Sequence, residues 1–410
     1  MIKKVNTFID KYILNIFIIF LISHPILDAL LGLFNNKVML ILDYIIKGLF
    51  ILLSLYYVVF ISKKNRKYII LLISYSILYL VINYLRLESD FIYELKVLIK
   101  VIYFPISLLF VINLFNDKEF NKKYLAIVFT VYLILILVPN ILHIGNNSYE
   151  ITKQGSVGFF ISANMIGNTL SIIFPIFLVT FIEKDKKALL AIMTLLYIYT
   201  LLTMGTKGPL ICLFIMAIYY LVKLVIYLIK NKKYLILSTS FIILLGLIII
   251  FIKLIPNTAF YKNLIIHLEF LNIKSFKDFL TFKNIDHFIF GSRFKMLSDT
   301  FNIYIKSGLL NILFGIGYTN NGIIKTCEMD YFVLLIHQGL LGFIIIYYMY
   351  LKKLKDIFKN FKFGNIKKTT ILISVILSIL CAFFVGHTLD APSVSIFVST
   401  IIGINLKESR

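Results

Sequence analysis

The stretch GSRFKMLSDTFNIY places two cations, Arg293 and Lys295, in the first turn of a predicted helix. Ser292 is a good N-cap for that helix, because its hydroxyl can accept a hydrogen bond from a first-turn N–H group. The helix dipole is positive at this end, so the two cations are unfavourable there by themselves. They become favourable if a phosphate binds to free backbone N–H groups and to the guanidinium. The alternative is a solvated helix with two incidental charges.

Lys207 lies in a second turn, TMGTKGPL, which joins two apolar segments with hardly any loop. Pro209 suits the first position of the following helix, so Lys207 again places a cation at a helix start. One interpretation is another anion site. A lysine that anchors a tight turn at the membrane interface explains the local sequence at least as well.

Two carboxylates, Glu328 and Asp330, precede an apolar segment in CEMDYFVLLIHQGLLGF. They could take a proton from a sugar hydroxyl or bind sugar hydroxyl groups. For Asp330 the alternative is a carboxylate that stabilises a helix start. Two turns further on, His337 and Gln338 are expected to form hydrogen bonds inside a helix bundle.

Two amides, Asn164 and Asn168, are four residues apart in SVGFFISANMIGN and share one helix face. At this depth in an apolar segment they must face protein or a wet cavity. Contacts between packed helices are one interpretation, and contact with a sugar is the other.

The chain as a whole is strongly apolar: 60% of its 410 residues are hydrophobic and 15% are charged. A soluble protein of this size needs a larger charged shell, so lipid must surround this one. The formal net charge is +22, but the basic residues occur in short runs between apolar segments. This pattern argues against a nucleic-acid partner, because it forms no basic face.

A helix needs about 20 apolar residues to cross the hydrocarbon core of a bilayer. The hydropathy pattern therefore predicts an all-α, polytopic integral membrane protein with about 12 transmembrane helices. The predicted spans are 12–34, 38–61, 68–85, 97–115, 124–143, 157–182, 188–204, 209–229, 234–255, 330–351, 370–387 and 391–405.

Basic residues concentrate in alternate connections, such as SKKNRK at Ser62, NDKEFNKK at Asn116 and EKDKK at Glu183. Short cytoplasmic connections carry such an excess, so these connections and both termini are predicted to face the cytoplasm. The abundance of Ile, Lys, Asn and Phe indicates an AT-rich bacterial genome. The protein is therefore expected in the cytoplasmic (inner) membrane of a bacterium.

The segment 256–329, between the ninth and tenth spans, is far longer than ordinary connections. It is predicted to be a large extracytoplasmic loop, and its apolar periodicity indicates amphipathic helices on the membrane surface or over the bundle. Since the sequence contains no internal repeat or linker, residues 1–410 are expected to form a single membrane domain.

Three further residues, Asp28, Asp43 and Lys47, are ionisable positions inside predicted spans. Asp43 and Lys47 are four residues apart and can neutralise each other. No role is assigned to them. The three cysteines indicate neither a disulfide framework nor a metal cluster.

Taken in order, four of these stretches resemble the O-antigen ligase and polymerase superfamily of bacterial membrane glycosyltransferases. SVGFFISANMIGN resembles the family's Gly-Phe, then Asn, entry to a span, and TMGTKGPL its Ser-Arg-Gly or Thr-Lys turn. GSRFKM resembles the Arg-bearing start of the large-loop helix. NILFGIGY and the later HQGLLG resemble its Phe-Gly-x-Gly-Tyr and Gly-Leu-x-Gly patterns. The resemblance covers residues 155–343.

The resemblance implies an inverting glycosyltransferase that acts outside the membrane. A sugar hydroxyl of one lipid-linked repeat unit attacks the anomeric carbon of a chain held on polyprenyl (undecaprenyl) diphosphate. Implied partners are polyprenyl-diphosphate-linked oligosaccharide, membrane lipid, and a chain-length regulator and flippase of the same pathway. No cofactor or metal is implied.

The chemistry needs cations for the leaving diphosphate and a carboxylate for the acceptor proton. On this hypothesis Arg293 and Glu328 are catalytic. The diphosphate site holds Lys207, Arg293 and Lys295, and the sugar site holds Asn164 and Asp330.

The favoured function is a polymerase of O-antigen or capsular polysaccharide. The nearest rival is a ligase that moves finished polymer to a surface acceptor, but Glu328 and Met329 stand where many ligases have a His-Asn pair. Lys207 stands where Arg is common, which keeps the charge and loses the bidentate geometry. A flippase or transporter would usually show paired repeats and broken helices, and the sequence shows neither. A metal-dependent transferase with acidic ligands near Glu88 and Glu328 is the remaining candidate.

Overall fold

The structure is a computed structural model that describes residues 2–87, 90–149, 153–273, 275–319, 327–362 and 364–409. Helices dominate the described chain. In chain order they are α1 (Ile2–Phe34), α2 (Lys37–Tyr56), α3 (Arg66–Leu87), α4 (Phe91–Asp117), α5 (Lys123–Ile141), α6 (Ala163–Glu183), α7 (Lys187–Met204), α8 (Lys207–Lys230), α9 (Tyr234–Leu254), α10 (Ala259–Phe270), α11 (Phe276–Phe279), α12 (Phe282–Phe290), α13 (Arg293–Lys306), α14 (Leu309–Phe314), α15 (Asp330–Asn360), α16 (Ile366–Leu380) and α17 (Pro392–Glu408).

Ten helices in the described part of the chain are long and apolar enough to cross a membrane, namely α1 to α8, α15 and α16. Turns of π-helix lengthen α2 (Tyr57–Ser62) and α16 (Cys381–Val385). The predicted all-α, polytopic membrane fold is therefore confirmed. A short antiparallel hairpin, β1 (Asn147–Tyr149) with β2 (Gln154–Ser156), was not predicted.

Helix α17 lies in the middle of the bundle, where it packs against α4, α6, α15 and α16. Most of its residues are buried, including Ser395 and Ser399. The Ser399 hydroxyl lies 2.9 Å from the Ser107 hydroxyl of α4, a close approach that small side chains allow. The turn 386–391 leads into α17 at the end of the bundle opposite the last turn of α17. Its buried residues include Thr388, Leu389 and Ala391.

Ion pairs join the basic connections at one end of the bundle, which we call the basic end. Lys122 Nζ lies 3.3 Å from Glu183 Oε1 and 3.0 Å from Glu408 Oε1. These pairs bring together the α4–α5 connection, the α6–α7 connection and the last turn of α17. Lys64 pairs with Asp117, and Lys118 pairs with Asp10 near the N-terminus. The alternate connections that carry the Lys and Arg runs therefore share one end.

The segment between α9 and α15 packs on the opposite end of the bundle rather than extending away from it. Helix α10 contacts α7 and β2, while α13 and α14 contact α15. Helices α10, α13 and α14 therefore lie against the bundle, and the extracytoplasmic position of the segment stays a prediction. This packing brings residues from the long segment against the starts of the spans.

Two glycine motifs meet where α14 ends against α15. Gly339 has φ 69° and breaks α15, so the expectation that no span is broken was wrong for this helix. Gly315 has φ 82°. A Cβ on Gly315 would lie 2.0 Å from the carbonyl oxygen of His337, and one on Gly339 would lie 2.4 Å from Gly315 N. The Gly317 N–H donates to His337 O over 3.2 Å, which satisfies a carbonyl near the break. Both glycines are therefore required for this crossing.

Candidate functional site

Arg293 and Glu328, which are far apart in sequence, form an ion pair at the end of the bundle opposite the basic end. Arg293 Nη2 donates to Glu328 Oε2 over 2.6 Å, and the two side chains are 14% and 29% exposed. Arg293 Nη1 donates to the carbonyl oxygen of Phe290 over 3.1 Å. Arg293 Nε is buried without a partner among the described residues, so this guanidinium can take a further oxygen.

Lys207 reaches the same short helix, α12. Its Nζ donates to the carbonyl oxygen of Phe288 and lies 4.0 Å from the centroid of the Phe288 ring. Phe288 and Phe290 are in the last turn of α12, where carbonyl groups lack partners in the helix and the dipole is negative. One helix end therefore holds two of the predicted cations, Lys207 and Arg293.

The predicted N-cap of α13 was wrong. Ser292 has φ 64° and makes no capping hydrogen bond, and its hydroxyl lies 2.7 Å from His287 Nδ1 instead. The buried carboxylate of Asp286 accepts from Phe294 N over 3.1 Å and from Lys295 N over 2.9 Å. The left-handed turn after α12 folds the chain back, which lets Asp286 reach the start of α13. A carboxylate of the protein therefore occupies two N–H groups that were predicted to bind phosphate.

Lys295 differs from the other two cations. Its side chain is exposed on α13. In the described part of the chain it has no hydrogen bond or ion pair with Lys207, Arg293 or Glu328. The structure therefore does not bring its ammonium group into contact with the other candidates.

Asp330 supports the turn 386–391. Its Oδ2 accepts from Thr388 N over 2.9 Å and from Leu389 N over 2.7 Å, and the side chain is buried. Its Oδ1 is buried with no partner among the described residues. The carboxylate thus satisfies backbone N–H groups of a neighbouring segment, which is a structural role.

The two amides of α6 have different surroundings. Asn168 donates to Gly386 O over 2.8 Å and to Thr388 Oγ1 over 3.0 Å, which confirms a contact between packed segments. Asn164 lies one turn nearer the start of α6 and is half-buried. A Cβ on Gly167 would lie 2.3 Å from Pro209 Cγ, so this part of α6 packs directly on the start of α8. Helix α6 begins at Ala163 rather than at the predicted residue 157.

The turn 386–391 adds two ionisable residues that the sequence reasoning missed. His387 Nδ1 lies 3.6 Å from Asp390 Oδ2. This hydrogen-bonding carboxylate, against the opposing effect of burial, raises the pKa of His387 to about 9. A Cβ on Gly386 would lie 1.3 Å from the carbonyl oxygen of Glu328, so the turn touches the Glu328 backbone. A polar GHTLD stretch between two apolar segments was the available signal.

A third missed residue is His267 on α10. Burial lowers its pKa to about 4, and the positive charge of Lys207 acts in the same direction. Its ring centroid lies 6.0 Å from that of His287. His267 is therefore neutral near pH 7 and adds an uncharged hydrogen-bonding group beside Lys207.

The described residues contain no group of three or more His, Cys, Asp or Glu side chains that could hold a metal ion. Glu88, one of the predicted acidic ligands, lies outside the described residues.

A family model described as O-antigen ligase like membrane protein matches residues 10–279 and 274–408. This chain belongs to that family. Neither the curated proteins nor the solved structures compared with the chain gave a match. The resemblance in the four polar stretches is thus confirmed at the level of the family, and this O-antigen ligase-like protein is a multi-pass membrane protein.

In this O-antigen ligase-like protein the site combines two kinds of group. Arg293 and Lys207 are cations whose present partners are a carboxylate and helix carbonyl groups, and these partners can be exchanged for a ligand oxygen. Glu328 is a partly exposed carboxylate beside one of those cations. Such a set can bind a diphosphate and accept a proton in one place.

Proposed function

We propose that the protein is a polymerase of a surface polysaccharide, either O-antigen or a capsular or exopolysaccharide. It transfers a glycan chain from polyprenyl diphosphate onto a lipid-linked repeat unit. The observation that carries this proposal is the convergence of Lys207 and Arg293 on the last turn of α12, with Glu328 against Arg293. Family membership supports lipid-linked polysaccharides as the class of substrate.

In the proposed reaction the diphosphate of the donor displaces Glu328 from Arg293. The guanidinium and Lys207 then hold the phosphate oxygens, and the Glu328 carboxylate is released to act as a base. The acceptor hydroxyl oxygen forms a bond to the anomeric carbon, and its proton moves to Glu328. The bond from the anomeric carbon to the phosphate oxygen breaks, and polyprenyl diphosphate leaves with the electron pair. The anomeric configuration inverts.

The placement of charge supports an orientation for this reaction. The basic end carries the Lys and Arg runs that favour the cytoplasm, so both termini would lie inside. The site at the opposite end would then face the outside of the cytoplasmic membrane, where a flippase delivers lipid-linked units and a chain-length regulator acts on the polymer.

The proposed sugar-binding residues act in two ways. Asn164 lies on the part of α6 that packs on the start of α8, the helix that Lys207 begins, and would contact a sugar directly. Asp330 would shape the sugar site indirectly, because it holds the turn 386–391 through Thr388 and Leu389. Lys295, exposed on α13, would contribute only to the general positive charge.

A deletion strain tests the choice between polymerase and ligase. Its surface glycan and lipid-linked intermediates are sized on a gel, before and after complementation with the wild-type chain. Loss of a polymerase should leave single repeat units on the surface. Long chains that accumulate on the lipid carrier would instead show a ligase.

A further inference from the structure

Arg86 and Asn83 form a second polar cluster at the end of the bundle opposite the basic end. Both lie in the last two turns of α3 and are three residues apart. Arg86 Nη2 donates to Gly315 O over 2.8 Å and to Asn83 Oδ1 over 3.2 Å. The guanidinium is thus held where α14 ends against the break in α15.

Most donors of this cluster lack an acceptor. Arg86 Nε and Nη1 and Asn83 Nδ2 are buried with no hydrogen-bond partner among the described residues, and Asn83 is 0% exposed. A guanidinium has five N–H donors and no acceptor, and Nη2 supplies only two of them. Buried donors without partners are costly, so several in one place indicate a ligand rich in acceptor oxygens.

Among the residues that the structure describes, no carboxylate pairs with Arg86. Glu94 on α4 is buried, and its Oε1 accepts from Thr319 N over 2.9 Å and from Tyr318 N. Its Oε2 accepts from the Tyr79 hydroxyl over 3.1 Å. Glu94 is therefore hydrogen-bonded to the segment after Gly315 and to Tyr79, and it does not pair with Arg86.

This cluster is distinct from the Arg293 site. Arg293 begins α13, whereas Arg86 holds the residue that follows α14. No hydrogen bond or ion pair among the described residues joins Arg86 to Lys207, Arg293 or Glu328. Among the described residues, the neighbouring carboxylate of Glu94 is engaged at both oxygens and is not free to take a proton from an acceptor hydroxyl. The cluster is suited to hold an anion without activating it.

A polymerase joins two lipid-linked substrates, and only the donor loses its diphosphate. The acceptor keeps its diphosphate and must still be held in place. We propose that Arg86 and Asn83 bind the diphosphate of the lipid-linked acceptor. This inference rests on the proposed polymerase function, because a ligase that acts on a surface acceptor without a diphosphate has no use for a second such site.

The test counts bound undecaprenyl diphosphate on the purified full chain in phosphatidylcholine nanodiscs. The wild-type chain should bind two equivalents, and Arg86→Gln should bind one. Arg293→Gln should also lower the count from two to one, and the double variant should bind none. The matched control is Arg66→Gln, the same substitution at the exposed basic end of α3, which should still bind two.

A second variant separates binding from folding. Asn83→Asp gives Arg86 a carboxylate partner, so the chain should unfold at the wild-type temperature or above. The added negative charge should nevertheless reduce the count from two equivalents to one. If Asn83→Asp and Arg86→Gln, both folded, still bind two equivalents, the proposal is wrong.

Two further outcomes identify the ligand and distinguish failure of the Arg86 site from failure of the proposed donor site. If phosphatidylglycerol in the nanodisc displaces the second equivalent at equal concentration, the cluster is a phospholipid headgroup site and the acceptor proposal is overturned. If Arg293→Gln leaves two equivalents while Arg86→Gln lowers the count, the Arg86 site stands and the proposed donor site fails. If Arg293→Gln lowers the count while Arg86→Gln leaves two equivalents bound, the proposed donor site stands and the Arg86 site fails.

Discussion

Glu328 and Asp330 are two residues apart at the start of α15, yet their carboxylates are bound in different ways. Glu328 is 29% exposed and accepts from one side chain, Arg293. Asp330 is 2% exposed and accepts from two backbone N–H groups. A side-chain partner can move when substrate arrives, whereas backbone donors in a packed turn cannot. On the proposed function, Glu328 is therefore expected to take part in the chemistry and Asp330 to support the turn 386–391.

The largest effect is expected when the Arg293–Glu328 pair is reversed. Arg293→Glu with Glu328→Arg should keep the ion pair and the fold, but it removes the guanidinium from α12. Polymer formation should fall about 100-fold or more, because loss of one group that stabilises developing charge has this size of effect. The checks are polymer length in a complemented deletion strain and the amount of folded protein. Full activity of the reversed pair would show that the pair is only structural.

Lys207→Ala should have a smaller effect on polymer formation, about tenfold to 100-fold, because Arg293 remains to hold the diphosphate. The chain should fold, since Lys207 is bound only to Phe288 in the described structure. The measurement is the initial rate of polymer formation in membranes. Lys223→Ala, on the same helix but away from the site, is the matched control and should keep the wild-type rate.

Asp330→Ala should act on stability rather than on chemistry. It leaves the N–H groups of Thr388 and Leu389 buried without an acceptor, at a cost of about 1–3 kcal/mol each. The expected result is a lower unfolding temperature and less protein in the membrane, with a smaller loss of activity per folded molecule because the turn 386–391 loses its support. Normal stability with lost activity would overturn the supporting role of Asp330 and move it to the reacting groups.

The smallest predicted effect is the pH dependence of the turn 386–391. The pKa of His387 is raised from its ordinary value of about 6.5 to about 9, so folding favours the protonated form. The stability that protonated His387 adds to the folded state is complete below about pH 6.5 and is lost as the pH rises through about 9. The unfolding temperature of the wild-type chain should decline across that range, and His387→Gln should flatten the decline. An equal slope in both proteins would contradict this assignment.

Much of the fold could be predicted from the sequence, because spans and basic connections are local features. The predicted spans 38–61 and 188–204 agree closely with α2 plus its π turn and with α7. Helices α9 and α17 match predicted spans, and their crossing of the membrane stays a prediction. The glycine patterns could be seen, but the packing of Gly315 on Gly339 depends on two separate segments.

The site was only partly predictable, for a physical reason. The residue types at Arg293, Glu328 and Lys207 indicated chemistry, but their common anchor is the last turn of α12, which no local pattern reveals. Ser292 was a reasonable cap by type. Asp286 caps α13 instead, because a left-handed turn reverses the chain. Sequence periodicity cannot predict contacts such as this one, which form only when the chain reverses direction.

The most direct test of the central claim measures the chemistry of the Arg293 site itself. Purified protein in vesicles receives a polyprenyl-diphosphate-linked repeat unit, and released polyprenyl diphosphate is counted together with glycosidic bonds formed. The wild-type chain should release one diphosphate per bond. Arg293→Ala should form neither product above background, while Lys306→Ala at the other end of α13 should behave as wild type. Wild-type rates from a folded Arg293→Ala protein would contradict the account.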